Sequence, residues 1–278
     1  MNRSIKKSNT TFLGHPVGLF ILFLTEMWER FSFYGMRAIL VLFLVDSAGG
    51  GLGWSEPTAL RVYGINLMAV YVLSIPGGIV ADRYIGTKAA VLWGAILQCA
   101  GHFLLSLGSE WAFISGLSFI ALGTGLLKPN ISTMVGALYP QGDARRDAGF
   151  TIFYMGINIG AAAAASVVGL VGQLYGWHYG FGLAGVGMLI GITTFAMGSG
   201  YLVDLKVAPQ QQVATKPKKP LVNFTKKERD QLFLITISLI AVCAFFAAFE
   251  QAGGLMSLYT QKYTNRYLGG VEIPASVF

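Results

Sequence analysis

TEMWERFSFYGMRAIL, residues 25–40, is the stretch on which the fold turns. It lies inside an apolar run from 17 to 45, long enough to cross a bilayer whose hydrocarbon core of about 30 Å takes roughly 20 helical residues. Yet it carries Glu26, Glu29, Arg30 and Arg37. At about 100° per residue, Glu26, Arg30, Tyr34 and Arg37, spaced by four, four and three, share one helix face. Glu29 borders that face, so two carboxylates and two guanidinium groups follow one another over about 16 Å. A central charge costs about 2.5–3.5 kcal/mol in a membrane helix. Ion pairs that merely neutralise one another are often no more stable than apolar packing. The spacing therefore predicts a membrane helix with a water-filled, substrate-facing groove along one side. Its length and interior charges exclude a cleaved signal peptide.

The rest of the chain has the same character. Hydrophobic residues make up 54% of it, charged residues 12%, and 36 of 278 positions are Gly, which excludes an ordinary soluble domain. Further apolar runs at 58–81, 88–108, 111–138, 148–174, 179–203 and 231–259 bring the expected spans to seven. The expected organisation is a tail (1–16), a six-helix bundle (17–203), a linker (204–230) and a seventh span with the start of a loop (231–278). Basic residues alternate between the loops. Arg3, Lys6 and Lys7 lie in the tail, Arg83 and Lys88 after the second span, Arg145 and Arg146 after the fourth, and Lys206 through Arg229 in the linker. Loops 46–57, 109–110 and 175–178 have none, which places the N terminus in the cytoplasm. The net charge of +7 is thus a topology signal facing lipid headgroups rather than a nucleic-acid footprint. Gly156 and Gly160, four apart, read as a helix-packing seam. Cys99 and Cys243 sit in apolar runs with no metal-ligand spacing, so neither a metal nor a disulfide framework is expected.

Other polar residues inside spans are few. Lys128 precedes Pro129 and Asn130, and Pro129 frees backbone carbonyls that a cavity or neighbour must satisfy. Tyr154 and Asn158, four apart, share a face. Glu250 and Gln251 interrupt the seventh span, where Lys128 or an incoming ammonium would steady the carboxylate. Arg61 can snorkel to the interface. His15 and His178 fall at span ends and read as interfacial, and His102 reads as a bundle hydrogen bond. Scattered histidines and the lack of an H-E-x-x-H or G-x-S-x-G motif exclude an enzyme. A zwitterionic short peptide would account for these residue types. Arg37 and Lys128 suit its carboxylate, Glu250 part of its ammonium, and Tyr34, Tyr71 and Tyr154 its variable side chains. Another small anion, such as nitrate, would also suit two cations in a cavity.

TEMWERFSFYGMRAIL resembles the E-x-x-E-R-F-x-Y-Y-G signature, with its following Arg, of the proton-dependent oligopeptide transporters in the major facilitator superfamily. VYVLSIPGGIVADRYIGTK (70–88), GTGLLKPNIST (123–133), FTIFYMGINIGA (150–161) and FFAAFEQAGG (245–254) match further family segments in order. The resemblance implies an all-α integral membrane fold, a six-helix N-terminal bundle plus one further transmembrane helix, in a bacterial inner membrane. It implies proton-coupled import of di- and tripeptides, with the proton as coupling ion and no other cofactor. Glu26, Glu29, Arg30 and Glu250 take the proton-coupling positions. Tyr34, Arg37, Tyr71, Lys128, Tyr154, Asn158 and Glu250 take the peptide-binding ones. Phe33 stands where the signature has its first Tyr, which removes one hydroxyl. The family's C-terminal half, expected to be required for transport, is absent from the sequence, as is the helical hairpin that bacterial members carry before the seventh helix. A non-transporting membrane subunit is the alternative such a shortened chain leaves open.

Overall fold

The computed structural model describes residues 10–203 and 224–277. The basic tail residues Arg3, Lys6 and Lys7 and positions 204–223 of the expected linker lie outside them. The chain is all-α apart from two short hairpins, β1 (Thr11–Phe12) with β2 (His15–Pro16) and β3 (Tyr267–Leu268) with β4 (Val271–Glu272). Its helices are α1 (Val17–Val45), α2 (Glu56–Val80), α3 (Thr87–Leu105), α4 (Glu110–Ala137), α5 (Arg146–Tyr175), α6 (Trp177–Gly198), α7 (Lys226–Phe249) and α8 (Leu255–Tyr263). The first six begin and end within a few residues of the expected spans. Six helices among the described residues are long and apolar enough to cross a membrane. The sequence led us to seven spans; α1 has the length, 29 residues, and its four interior charges set it apart from the six.

Local chemistry explains several boundaries. Ser109 caps α4 by accepting the Ala112 N–H at 3.3 Å, and Thr225 and Glu228 form a reciprocal capping box at the start of α7. Pro129 has no N–H for the Gly125 carbonyl, and Gly77 of α2 packs directly onto that oxygen. The largest departure from expectation is the seventh span. A continuous helix over 231–259 is replaced by α7, one 3-10 turn at Glu250–Gly253 and α8. Two consecutive glycines favour a break there, and the Glu250 carbonyl is held by side chains of α1 and α2 instead of continuing the helix.

α1 is the central element. It packs along α5 and α6, while α3 packs along α4 and α6, and α2 along α4. At one end Phe43 meets Phe113 and Phe181, with ring centroids 5.4 and 5.2 Å apart, and Leu105 completes a fully enclosed apolar layer. Just beyond it, Asp46 accepts the Trp177 indole N–H at 2.6 Å and the N–H groups of Gly49 and Ala48. Partial burial raises the Asp46 carboxyl, but these three donors outweigh it and hold the group below its ordinary value. α7 has no buried residue; the turn after it and α8 rest on α1.

The Gly156–Gly160 seam is real. A Cβ at Gly156 would meet Phe23, and one at Gly160 would overlap the Met27 carbonyl oxygen. Gly160→Leu is therefore expected to separate α5 from α1 and cost about 1–3 kcal/mol or more, as overpacking does. Thermal unfolding of the purified variant checks this, and an unchanged midpoint would show that the seam can widen freely.

Candidate functional site

The charged stripe of α1 divides into two clusters. In the lower one, Arg30 Nε donates to Glu26 Oε1 at 2.8 Å and lies 2.7 Å from Glu29 Oε2. The three residues are 4%, 2% and 0% exposed respectively. The expected open groove is thus corrected here: the triad is sealed within the bundle. Only the Glu26 contact has hydrogen-bond geometry; both Glu29 oxygens are close to charge yet make no directed bond. Lys128 of α4 lies within electrostatic reach of both carboxylates.

The second cluster joins α1 to the turn after α7. Arg37 Nη2 lies 2.7 Å from Glu250 Oε2 and donates to the Glu250 carbonyl at 3.3 Å. Arg37 Nε donates to the Tyr63 hydroxyl at 2.8 Å, and that hydroxyl donates to the Glu250 carbonyl at 2.9 Å. Tyr71 of α2 completes the ring with a long bond, 3.5 Å, to Glu250 Oε1. Arg37 also lies against the faces of Tyr34 and Tyr63, 5.9 and 5.8 Å from their centroids. Gly253 is required by this arrangement, because a Cβ there would sit 2.8 Å from Arg37 Nε and 2.9 Å from the Tyr63 oxygen.

One expectation needs correction. Lys128 is not the ionic partner of Glu250; Arg37 is, and Lys128 Nζ sits over the Tyr71 ring at 4.5 Å. The amine still faces the same space, tied through Tyr71 to the Glu250 side. Tyr154 and Asn158 are exposed on α5, and the Asn158 amide bonds only back to the Tyr154 carbonyl at 3.1 Å. Tyr63 was missed by sequence reasoning. Its signal was its spacing of eight from Tyr71, which puts both phenols within about 80° on α2.

A family model described as "PTR2: POT family" matches residues 88–231. A Bacillus subtilis (strain 168) transporter, YclF, is 38% identical over 329 aligned positions, covering 100% of this chain and 67% of the relative. The chain belongs to the POT family. It is also 40% identical to the "Di-/tripeptide transporter" of Lactococcus lactis subsp. lactis (strain IL1403), over 89% of this chain and 48% of that protein. The crystal structure of a peptide transporter POT in complex with sulfate superposes with a TM-score of 0.79 at 33% identity, covering 99% of this chain and 67% of the other. The chain thus spans about half to two thirds of the length of these relatives. Its fold is the all-α, multi-pass membrane architecture of the POT family within the major facilitator superfamily.

Within this POT-family frame, the cavities sort themselves by chemistry. One, about 400 Å³, is lined by apolar residues such as Met27, Trp28, Phe31 and Ile159 and offers nothing to hold a polar solute. The one that matters is about 200 Å³, beside Tyr34, Arg37, Phe249, Gly253 and Ser257. It is smaller than the roughly 300–1,000 Å³ of ordinary ligand sites, because the turn carrying Glu250 lies across the guanidinium.

Proposed function

We propose that this chain carries the carboxylate-binding and proton-coupling machinery of an importer for di- and tripeptides in the bacterial inner membrane, with its N terminus in the cytoplasm. The observation that carries the reading is the Arg37–Glu250 pair between α1 and the turn after α7. A peptide carboxylate would compete with Glu250 for the planar fork of Arg37. A proton on Glu250 would remove the competing charge. Either event loosens the α7–α8 turn from α1, and each favours the other, which is the linkage that co-transport requires. The Lys128 amine supplies a second, mobile positive charge for the same carboxylate. Tyr34, Tyr71, Tyr154 and Asn158 would offer adaptable walls to the side chains.

The Glu26–Glu29–Arg30 triad adds a second proton site. One arginine shared by two carboxylates can take a proton on either acid and still keep a one-to-one ion pair, so no bare charge is left in the membrane. The proton is the coupling ion, and no further cofactor is part of the scheme.

The test is uptake by cells expressing the intact protein. Labelled dipeptide should accumulate at acidic external pH, and a protonophore should abolish the accumulation. Uptake indifferent to the protonophore would remove the coupling, and uptake of nitrate in place of peptide would remove the substrate class.

A further inference from the structure

Gln98 and His102 stand one turn apart on α3, on the side turned into the bundle, and both are 0% exposed. An amide and an imidazole together present six hydrogen-bonding positions on four polar atoms. Among the described residues none of them has a partner: Gln98 Oε1 and Nε2 and His102 Nδ1 and Nε2 are all unbonded. The bundle hydrogen bond expected of His102 is therefore not made. Leaving such groups dry costs about 1–3 kcal/mol each, and native proteins meet that cost with buried water.

The two residues also lie in line with something. The Gln98 side chain packs on Gly123 of α4 and lies near the Glu29 carboxylate of the triad, with no directed hydrogen bond between the two groups. His102 lies about 6 Å further along α3 and about 5 Å before its end at Leu105. Glu29, Gln98 and His102 thus form a buried polar column that leads from the triad to within one turn of the α3–α4 loop.

We propose that Gln98 and His102 hold buried water and relay the proton between the α3–α4 end of the bundle and Glu29. The inference rests on the coupling role proposed for the triad. In the inward direction, water delivers a proton to the free ring nitrogen of neutral His102. The opposite N–H passes its proton to a water held by the Gln98 amide, and that water delivers one to the Glu29 carboxylate. The ring is left neutral in its other tautomer and resets by turning about χ2. Gln98 carries no proton itself; it orients the water.

The ionisable groups around the column are few. On α1 they are Glu26, Glu29, Arg30, Tyr34 and Arg37; on α4, Glu110 and Lys128; on α6, His178 and Tyr179; and on α3 itself, Lys88 and Cys99. Of these, the Glu29 carboxylate lies near the Gln98 amide. The Cys99 thiol is turned to the Gly185 carbonyl of α6, 3.7 Å away. His102 is accordingly the one proton-accepting group in the column above Glu29.

The experiment reconstitutes the intact protein and its His102→Gln and His102→Leu variants in liposomes and measures two rates. Gradient-driven dipeptide accumulation needs net proton movement; peptide counterflow, with peptide on both sides and no gradient, needs none. His102→Gln keeps a polar side chain that holds water but cannot pass a proton through itself. Both variants are expected to lose roughly a hundredfold or more of driven accumulation, the lower end of a positioned proton-transfer group, while counterflow stays within about twofold. His102→Gln with undiminished driven accumulation would overturn the relay. So would parallel loss of counterflow in both variants, since His102 would then be a packing residue. A wild-type protein that ignores the gradient would instead remove the coupling reading beneath it, so the two failures are told apart.

Discussion

Arg37→Ala is expected to weaken dipeptide binding by at least about a hundredfold, close to 2.8 kcal/mol at 1.4 kcal/mol per decade. That lies at the lower end of what truncating one partner of a buried, hydrogen-bonded charge pair costs. Three interactions converge on this one side chain: the Glu250 carboxylate, the Glu250 carbonyl and the Tyr63 hydroxyl. Removing it deletes the fork that would take the peptide carboxylate and leaves Glu250 facing two phenols. Arg37→Lys should recover only part of the loss, since an ammonium cannot serve Glu250 and Tyr63 with the same planar geometry. Lys128→Ala should act in the same direction but less strongly, because its amine rests on the Tyr71 ring and makes no ion pair among the described residues. Calorimetry on the purified variants reads both. Unchanged affinity in Arg37→Ala would mean that the carboxylate sits elsewhere.

The reason α1 was so legible is that helical periodicity converts residue numbers directly into a face. Glu26, Arg30 and Arg37 could be placed on one side before anything was known of their neighbours. What covers a face is a different question. The steps of four, four and three could not say that the triad is sealed while Arg37 borders a cavity, because that difference is set by α3 and by a turn more than two hundred residues away. The same limit explains Glu250. Sequence reasoning offered Lys128 or an incoming ammonium as its partner on charge alone, whereas the glycine pair after Glu250 breaks the helix and swings the carboxylate to Arg37. Tyr63 was one phenol among twelve, and its hydrogen bonds with Arg37 and the Glu250 carbonyl, closed over by Gly253, mark it out. Tyr154 and Asn158 had the right spacing for a shared face, and they do share one, but a face shared on one helix carries no information about contact with another. His102 went the other way: a buried histidine ordinarily earns its place through a hydrogen bond, and the missing bond is what connects it to Glu29.

Arg30→Leu is expected to be the most damaging single change to the fold, costing about 3–5 kcal/mol. The substitution leaves Glu26 and Glu29 at 2% and 0% exposure without the guanidinium that both contact. Lys128, on the neighbouring helix, makes no ion pair with either among the described residues and sits over Tyr71 instead. The desolvation of two carboxylates then goes unopposed, and the like charges repel across one helical turn. Lowering the pH should restore part of the loss, because protonation removes the charges left without a cation. The informative control is Glu26→Met with Glu29→Met and Arg30→Met. It removes every charge at once and keeps similar volumes, and exchanges of this kind are often neutral or stabilising. Thermal unfolding of both variants in the same detergent should therefore rank the triple variant close to wild type and the single variant far below it. If the triple variant were as unstable as Arg30→Leu, the triad would be needed for packing rather than held for its charge, and the proton role assigned to Glu26 and Glu29 would lose its physical basis.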